Sequence, residues 1–582
     1  MARTPGGSGG RTQFLNRLHA RLAVRRPAAT GFVSQPEPRT MGSFARGRQI
    51  LAGNFLFGGF LIEGGGKPIW DLPVPDARFE EEQHGFGWLD DLAAVGDAQA
   101  RTRAQDWVAG WIARHGRGQG PGWTPDLTGR RLIRWINHAI LLLAGRDRAY
   151  ADAYFASLGQ QARFLARSWR RAAPGLPRFE ALTGLVYAGL TLTGMGDLVA
   201  PAAKALAQEA ASAVDEGGGI STRNPEELLE VFTLLTWAAA ALSEAGRSPQ
   251  ADHMAAIERI APTLRALRHA DGGLARFHGG GRGAEGRLDQ ALAQAGGKAL
   301  TAPGLAMGFA RLAAGRTTVI TDVAAPPSGA ASHDGHASTL AFELTSGRRP
   351  LIVNCGSGAG FGPDWRRAGR ATPSHSTLML AGLSSSRLAP KGRRRAGPEL
   401  LAEVPGLVWA QQETDVEGLR LLAGHNGYEA THGLTHVRQL RLSLDGRTLA
   451  GEDTLGAMSA ADKRRFDAWM ARHRYQGVAF EIRFHLHPDV DAALDMGGAA
   501  VSMALKSGEI WILRHDGSAE MTLERSVYLE AGRLKPRAAQ QVVLRGRVAG
   551  HVRHIGWTLA KAQDTPAAIR DLRPEPADDP ID

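Results

Sequence analysis

The sequence predicts a multidomain chain, α then β: an N-terminal (α/α) toroid followed by a C-terminal antiparallel β-sandwich. Three observations carry this expectation. The chain has 582 residues, more than one hydrophobic core can organise. Helical periodicity starts at about residue 97 and continues to the last expected helix at 300–314. Near residue 316 the texture switches to short apolar runs separated by Gly, Asp and Asn turns. The expected division is a flexible basic arm at 1–40, a toroid at 41–315, a sandwich at 316–564 and a loose tail at 565–582.

Within the first half, residues 41–95 read as irregular, because Glu63-Gly64-Gly65-Gly66 and Pro68, Pro73 and Pro75 favour loops. Helices are expected near 97–114, 130–145, 148–171, 177–193, 199–215, 224–246, 249–268 and 300–314. The sharpest start is Asn224-Pro225-Glu226-Glu227: asparagine caps, proline takes the first turn and two glutamates face the positive end of the helix dipole. Successive amphipathic helix pairs suit a toroid; a helical solenoid is the alternative, but no fixed-period repeat is visible.

In the second half, strands are expected at Thr317–Ile320, Ala341–Leu344, Leu351–Val353, Thr377–Leu380, Val408–Ala410, His436–Leu444, Val478–His487, Ile510–Leu513 and Gln541–Leu544. Many short strands without intervening helices indicate a sandwich. Residues 459–476 read as a charged, helical insertion.

Composition narrows the function. A hydrophobic fraction of 43% and a charged fraction of 22% fit a folded protein, and no apolar run is long enough to span a membrane. The single cysteine, Cys355, excludes an internal disulfide and a thiolate metal cluster; its apolar setting reads as a buried structural thiol. Most of the net charge of +11 lies in residues 1–50, which hold nine arginines and one acid. That arm lacks a secretory signal. Phe14, Leu15, Leu18, Leu22 and Val24 could form a short amphipathic turn or two, for surface binding or as part of a basic tail. A second basic patch spans Arg366, Arg367, Arg370 and Arg387 to Lys391-Gly392-Arg393-Arg394-Arg395, but no nucleic-acid fold signature accompanies it, so nucleic acid is not an expected partner.

The most informative stretch is 335–382. Gly335-His336-Ala337-Ser338-Thr339-Leu340-Ala341-Phe342-Glu343 is followed by Leu351-Ile352-Val353-Asn354-Cys355-Gly356 and then Ser374-His375-Ser376-Thr377-Leu378. This resembles the β-domain signature of the heparinase II/III-like family: a His-Gly-His-Ala-Asp strand, an apolar strand ending in Asp, and a His-Asn-Thr segment. His425-Asn426-Gly427-Tyr428, His436-Val437-Arg438, Arg223-Asn224-Pro225-Glu226 and Asp271-Gly272-Gly273-Leu274 are also similar to that family, the last two to a bacterial branch.

The resemblance implies a polysaccharide lyase acting on a uronic-acid glycan by β-elimination at the toroid–sandwich cleft. Such chemistry neutralises the substrate carboxylate, removes the C5 proton and protonates the leaving oxygen. Asn224 with Arg223 is then the carboxylate neutraliser, with helix capping as the other role for Asn224. Tyr187 and His278 are acid–base candidates, although Tyr187 lies on an apolar helix and His278 in a glycine-rich loop. Asp334 stands where the family has the first histidine of His-Gly-His, and an unshifted carboxylate is a weak base at neutral pH. The resemblance further implies a zinc site at His336, Asn354 and His375; here the family's carboxylate is an amide, a poor zinc ligand. Trp123, in a Gly-Pro loop, and Arg366 and Arg370 are the expected substrate contacts. Trp107 and Trp111 have core spacing, and most of the other tryptophans are expected to be buried. His485 and His487 share a strand face but lack a third ligand.

Two rivals stand beside the lyase. One is a catalytically impaired relative that binds glycan or cell-envelope polymer. The other is a toroid hydrolase using carboxylates among Glu180, Glu226, Glu227 and Asp271. Family resemblance places the protein in the periplasm or cell envelope; the absence of a readable export signal allows the cytoplasm.

Overall fold

The computed structural model describes residues 10–25, 28–35, 37–296, 304–380, 382–389 and 399–562. Helices fill the first half and antiparallel sheets the second, the order expected from the periodicity switch. Among the described residues, no helix is long and apolar enough to cross a membrane.

The helical half is built from Ala98–His115, Pro125–Asn137, Arg148–Ser168, Leu176–Thr191, Val199–Ala213, Pro225–Glu244 and Ala251–Ala266. The helices Pro125–Asn137 and Leu176–Thr191 approach closely because Gly129 and Gly184 meet; a Cβ on Gly184 would lie 2.6 Å from Gly129 Cα. The helix Pro225–Glu244 starts as its sequence dictates, with Asn224 Oδ1 accepting from the backbone N–H groups of Glu226 and Glu227. One apolar core runs through these helices and includes Trp88, Trp107, Trp111 and Trp135.

Three segments differ from the sequence reading. Residues 41–95, expected to be irregular, contain the helices Phe44–Leu51, Ala77–Gly85 and Gly87–Val95 and the hairpin Asn54–Phe57/Phe60–Glu63. The prolines and glycines lie between these elements, and Asp76 caps the second helix. Residues 300–314, expected as helix, end in the strand Phe309–Ala314, paired with Thr317–Asp322. Its strand conformation is set by pairing in the sheet rather than by local propensity. Within 1–40, expected as a flexible arm, the helix Gly10–Val24 buries Asn16, Ala20 and Ala23. It is tied to the helix Arg148–Ser168 by Gln160 Nε2 on Ala20 O, and Asn16 Oδ1 accepts from Arg171.

The β half holds two eight-stranded antiparallel sheets. The first runs Val408–Thr414, Leu419–Tyr428, Leu434–Leu442, Thr448–Gly456, Val552–Lys561, Ile510–His515, Ala500–Ala504 and Asp491–Asp495. The second runs Glu520–Tyr528, Arg537–Val548, Val478–Leu486, Arg349–Val353, Phe342–Ser346, Thr317–Asp322 and Phe309–Ala314, with Leu378–Leu380 on Val478–Leu486. Their facing side chains form a second core around Trp511, Trp557, Phe342 and Phe484. The insertion at 459–476 is helical over Ala460–Arg472, with a Ser459–Asp462 capping box. The second sheet meets the toroid through Arg311, whose guanidinium donates to Ala266 O and Arg268 O.

Candidate functional site

Several of the residues singled out by sequence converge where the toroid meets the second sheet. From the toroid come Arg223 and Asn224, at the start of Pro225–Glu244, and the loop carrying His278. From the β half come the segment 332–338 and the turn that brings His375 in ahead of Leu378–Leu380. The glycines of the toroid loop permit the approach: a Cβ on Gly280 would fall 2.3 Å from Asn224 Oδ1, and one on Gly279 would fall 2.8 Å from Asp334 Cβ. Gly281 N donates to Glu226 Oε2 at 2.8 Å.

At the centre is Asp322, the last residue of its strand and fully buried. Its Oδ1 accepts from Arg223 Nη2 at 2.6 Å, and its Oδ2 accepts from Ser338 Oγ at 2.7 Å and faces His278 Nε2 at 3.3 Å. Burial opposes its ionisation, but Arg223 and His278 outweigh burial and hold the carboxyl well below the usual range. Arg223 also donates to the carbonyls of Met307, Gly308, Ala324 and Ala325. Arg223 (φ +50°), His278 (φ +47°) and Leu340 (φ +64°) all adopt left-handed backbone here. Non-glycine residues hold that conformation at some cost, which the surrounding bonds offset.

The hydrogen bonds fix the histidine tautomers. His336 N donates to His278 Nδ1 at 3.1 Å, so the His278 proton sits on Nε2, toward Asp322. Both ring nitrogens of His278 are thus engaged, and burial lowers its pKa. His375 Nδ1 donates to Ala371 O at 2.9 Å, leaving Nε2 to accept from His336 Nδ1 at 3.0 Å. Burial pushes His375 down to about 4, and burial together with His375 lowers His336 further.

The zinc set tests poorly against this geometry. His336 and His375 hydrogen-bond each other, Asn354 Oδ1 accepts from Ser376 N at 3.0 Å, and Asn354 Nδ2 donates toward Glu343 at 3.5 Å. A neutral amide whose oxygen is already engaged does not complete a tetrahedral zinc site. Among the described residues, no group of three or more His, Cys, Asp or Glu is arranged to hold a metal ion.

The remaining candidates are placed as follows. Asp334 pairs with Arg366 at 2.7 Å and with His333 at 3.2 Å; burial opposes its charge, but these partners outweigh it and keep the carboxyl low, the wrong direction for a base. Arg366 also donates to His333 O. Arg370 donates to Ser332 O, Gly335 O and Glu399 O and is 3% exposed, so it holds the 332–335 segment rather than facing a ligand. Tyr187 is fully buried in the helical core, and burial raises its pKa, with Arg39 acting the other way. Trp123, expected in an exposed loop, is 2% exposed because its Nε1 donates to His115 O and its ring packs on Trp111 and Phe164. Glu180 pairs with Arg130 at 2.8 Å. Asp271 accepts from Gly273 N. Cys355 is buried, as expected, with Sγ 3.5 Å from His485 Nδ1. His485 Nε2 donates to Pro373 O at 2.9 Å, and its Nδ1 accepts from Ser526 Oγ at 2.8 Å. The basic run Lys391–Arg395 lies outside the described residues.

Sequence reasoning missed Asp322 and Ser338, and a second junction anchor. In that anchor Glu343 accepts from Arg276 N at 3.0 Å and faces His269 Nε2 at 3.3 Å, while the Arg276 guanidinium stacks 4.0 Å over Tyr528. The available signal was a carboxylate on each of two apolar strands, Val319-Ile320-Thr321-Asp322 and Phe342-Glu343-Leu344, where an unpaired charge would be costly.

A toroid followed by a two-sheet sandwich, with histidine segments from the second half at their junction, defines a class. The profile of the heparinase II/III-like C-terminal domain matches residues 297–564. The chain is 33% identical over 554 residues to FtsZ-localized protein C of Caulobacter vibrioides (strain NA1000 / CB15N), covering 93% of this chain and 92% of that one. The chain belongs to the heparinase II/III-like family. Among solved structures, heparinase III superposes with a TM-score of 0.67 at 12% identity, over 94% of this chain and 89% of that one. A heparan sulfate lyase HepC mutant from Pedobacter heparinus gives 0.58 at 14%, over 96% and 89%. At such identities these two likenesses establish the fold.

Proposed function

We propose that this chain is a non-lytic member of its family, a division-associated protein of the cell envelope. The single observation that carries this reading is the state of His278. A base for β-elimination needs a free lone pair beside the substrate, and the His278 lone pair accepts the His336 N–H while its proton faces Asp322. Arg223, the expected neutraliser, is engaged by Asp322 and four carbonyls. The relative named FtsZ-localized protein C supplies the setting, localisation with FtsZ, and this chain would then share FtsZ's compartment.

The helix Gly10–Val24 supports an envelope role. Phe14 is 65% exposed, Leu18 and Leu22 are also exposed, and Arg17, Arg21 and Arg25 lie among them. An apolar stripe flanked by guanidiniums suits an anionic membrane surface.

Incubation with a panel of uronic-acid glycans is expected to give no rise in ultraviolet absorbance from unsaturated product, and purified protein is expected to contain no stoichiometric zinc. A fluorescent fusion is expected to coincide with FtsZ, and the protein to float with anionic but not neutral vesicles. A diffuse fusion would sink the division reading. The lyase reading retains one observation: Asn224 Nδ2 has no hydrogen-bond partner among the described residues and lies beside the cleft loop at Gly280. Unsaturated product from any glycan would restore it.

A further inference from the structure

The apolar stripe of the helix Gly10–Val24 lies between two rows of cations, and only one row belongs to that helix. At about 100° per residue, Phe14, Leu18 and Leu22 run along the exposed face, with Arg17 and Arg21 on one side of them and His19 on the other. The His19 side is closed by the end of the helix Arg148–Ser168 and the turn after it. Arg171 Nε donates to Asn16 Oδ1 at 2.8 Å and its Nη2 donates to His19 Nδ1 at 3.1 Å, which fixes this guanidinium at the edge of the first helix. Its Nη1 donates to Arg167 O at 3.3 Å. Arg167 is exposed and close enough to His19 to lower its pKa. Arg170, also exposed, stacks 4.3 Å over the half-buried ring of Trp169. On the Arg21 side a loop closes in: a Cβ on Gly118 would lie 2.7 Å from Arg21 N, and Arg117 beside it is exposed. No carboxylate answers these charges. The helix Gly10–Val24 contains no acid, and Arg148–Ser168 contains one, Asp152, near its start and paired with Arg148. Glu209, across the following loop, is taken by Arg178 and Gly175 N. Arg167, Arg170 and Arg171 form no salt bridge among the described residues, and burial lowers the pKa of Arg171 with no anion to offset it.

We propose that this surface is a lipid headgroup cradle, in which Arg167, Arg170 and Arg171 bind the phosphate diester of an anionic phospholipid while Phe14, Leu18 and Leu22 enter the acyl region beside it. The proposal rests on the membrane reading above and gives it a ligand and a place. The occupant follows from the juxtaposition. A phosphate diester presents oxygens that guanidinium forks match, and its acyl chains cover the apolar stripe that lies between the two cationic rows. A soluble phosphate would meet the cations and leave the stripe in water. Trp169, half-buried beside Arg170, suits the membrane–water boundary, where an indole has one end apolar and the other wet. The cradle is composite, because its second row comes from a helix more than a hundred residues further along the chain. It exists only while Gly10–Val24 stays docked on Arg148–Ser168, as the Gln160–Ala20 and Arg171–Asn16 bonds hold it.

The test is flotation of the full chain with phosphatidylcholine vesicles, with and without phosphatidylglycerol. Two variants of equal net charge are compared: R167E/R170E in the cradle, and R464E/R472E on the exposed face of the insertion helix Ala460–Arg472. Each cation near an anionic surface strengthens binding by about fivefold, so reversal at two cradle positions is expected to weaken it by roughly thirtyfold or more, and reversal at the distant pair by less than about twofold. R167Q/R170Q is expected to lose roughly tenfold or more, which keeps the test open if charge reversal unfolds the helix end. Inorganic phosphate at constant ionic strength is expected to leave the vesicle-bound protein in place. Equal losses in the two reversed variants would overturn the cradle in favour of general attraction and leave the membrane reading intact. Wild-type protein that stays off phosphatidylglycerol vesicles would sink both. Release by inorganic phosphate would overturn the lipid assignment and make the cluster a soluble-phosphate site.

Discussion

Two buried carboxylates organise this molecule, and they are chemically alike. At the junction, Asp322 binds Arg223, His278 and Ser338. Inside the sandwich, Asp453 binds Arg438 through both oxygens, His436 at 2.7 Å and Trp557 Nε1 at 2.9 Å. In both sites the arginine also holds backbone carbonyls, and in both the carboxyl is held well below its ordinary range by the arginine and histidine, against burial. They differ in what they join. Arg438 donates to Leu340 O and Ser376 O and so fastens one sheet to the other. Arg223 and His278 fasten one domain to the other. A histidine–carboxylate pair is therefore not by itself a catalytic signature in this fold. Whether a lone pair stays free separates a working base from a clasp, and the His278 lone pair is occupied.

The comparison can be broken by experiment, beginning with the largest effect. Asp453→Ala strands a fully buried Arg438 guanidinium, and removing one partner of such a pair costs about 3–5 kcal/mol; chemical denaturation should show one strongly destabilised sandwich. Acidification comes next. His375 has a folded pKa of about 4 against an ordinary 6.5, so the unfolded chain binds its proton first as pH falls. Stability is complete above the ordinary value and declines as pH drops from 6.5 toward 4, by roughly 3 kcal/mol from this residue alone, with His336 and His278 acting in the same direction. A denaturation midpoint flat across that window would contradict the neutral tautomers assigned above. Asp322→Asn should cost about 2 kcal/mol, less than Asp453→Ala, because Arg223 keeps its four carbonyls. Its distinctive outcome is a thermal transition split into separate toroid and sandwich steps; a single, merely lowered transition would mean that Asp322 is not the clasp. Ser338→Ala removes one hydrogen bond to the same carboxylate and should cost about 1 kcal/mol without splitting the transition.

Legibility in the sequence varied by region for identifiable reasons. The helix at Pro225–Glu244 was readable because its cap is local: asparagine, proline and two glutamates act within one turn. The insertion helix was readable for the same reason. Residues 41–95 were not, since three short helices there depend on packing against neighbours rather than on propensity. Trp123 looked exposed because its Gly-Pro surroundings describe the backbone, while its burial depends on Trp111 and Phe164, distant in sequence.

By itself the sequence determined the order of the two halves, the family motif at 335–382 and the substitutions at Asp334 and Asn354, because periodicity and residue identity are local properties. Only the tertiary structure decided what those residues do. It placed Asp322, nearly a hundred positions from Arg223, within 2.6 Å of its guanidinium. It assigned the His278 proton through a backbone N–H contributed by the other domain. Lone-pair occupancy is settled by contacts between remote segments, and no reading of one segment alone contains it.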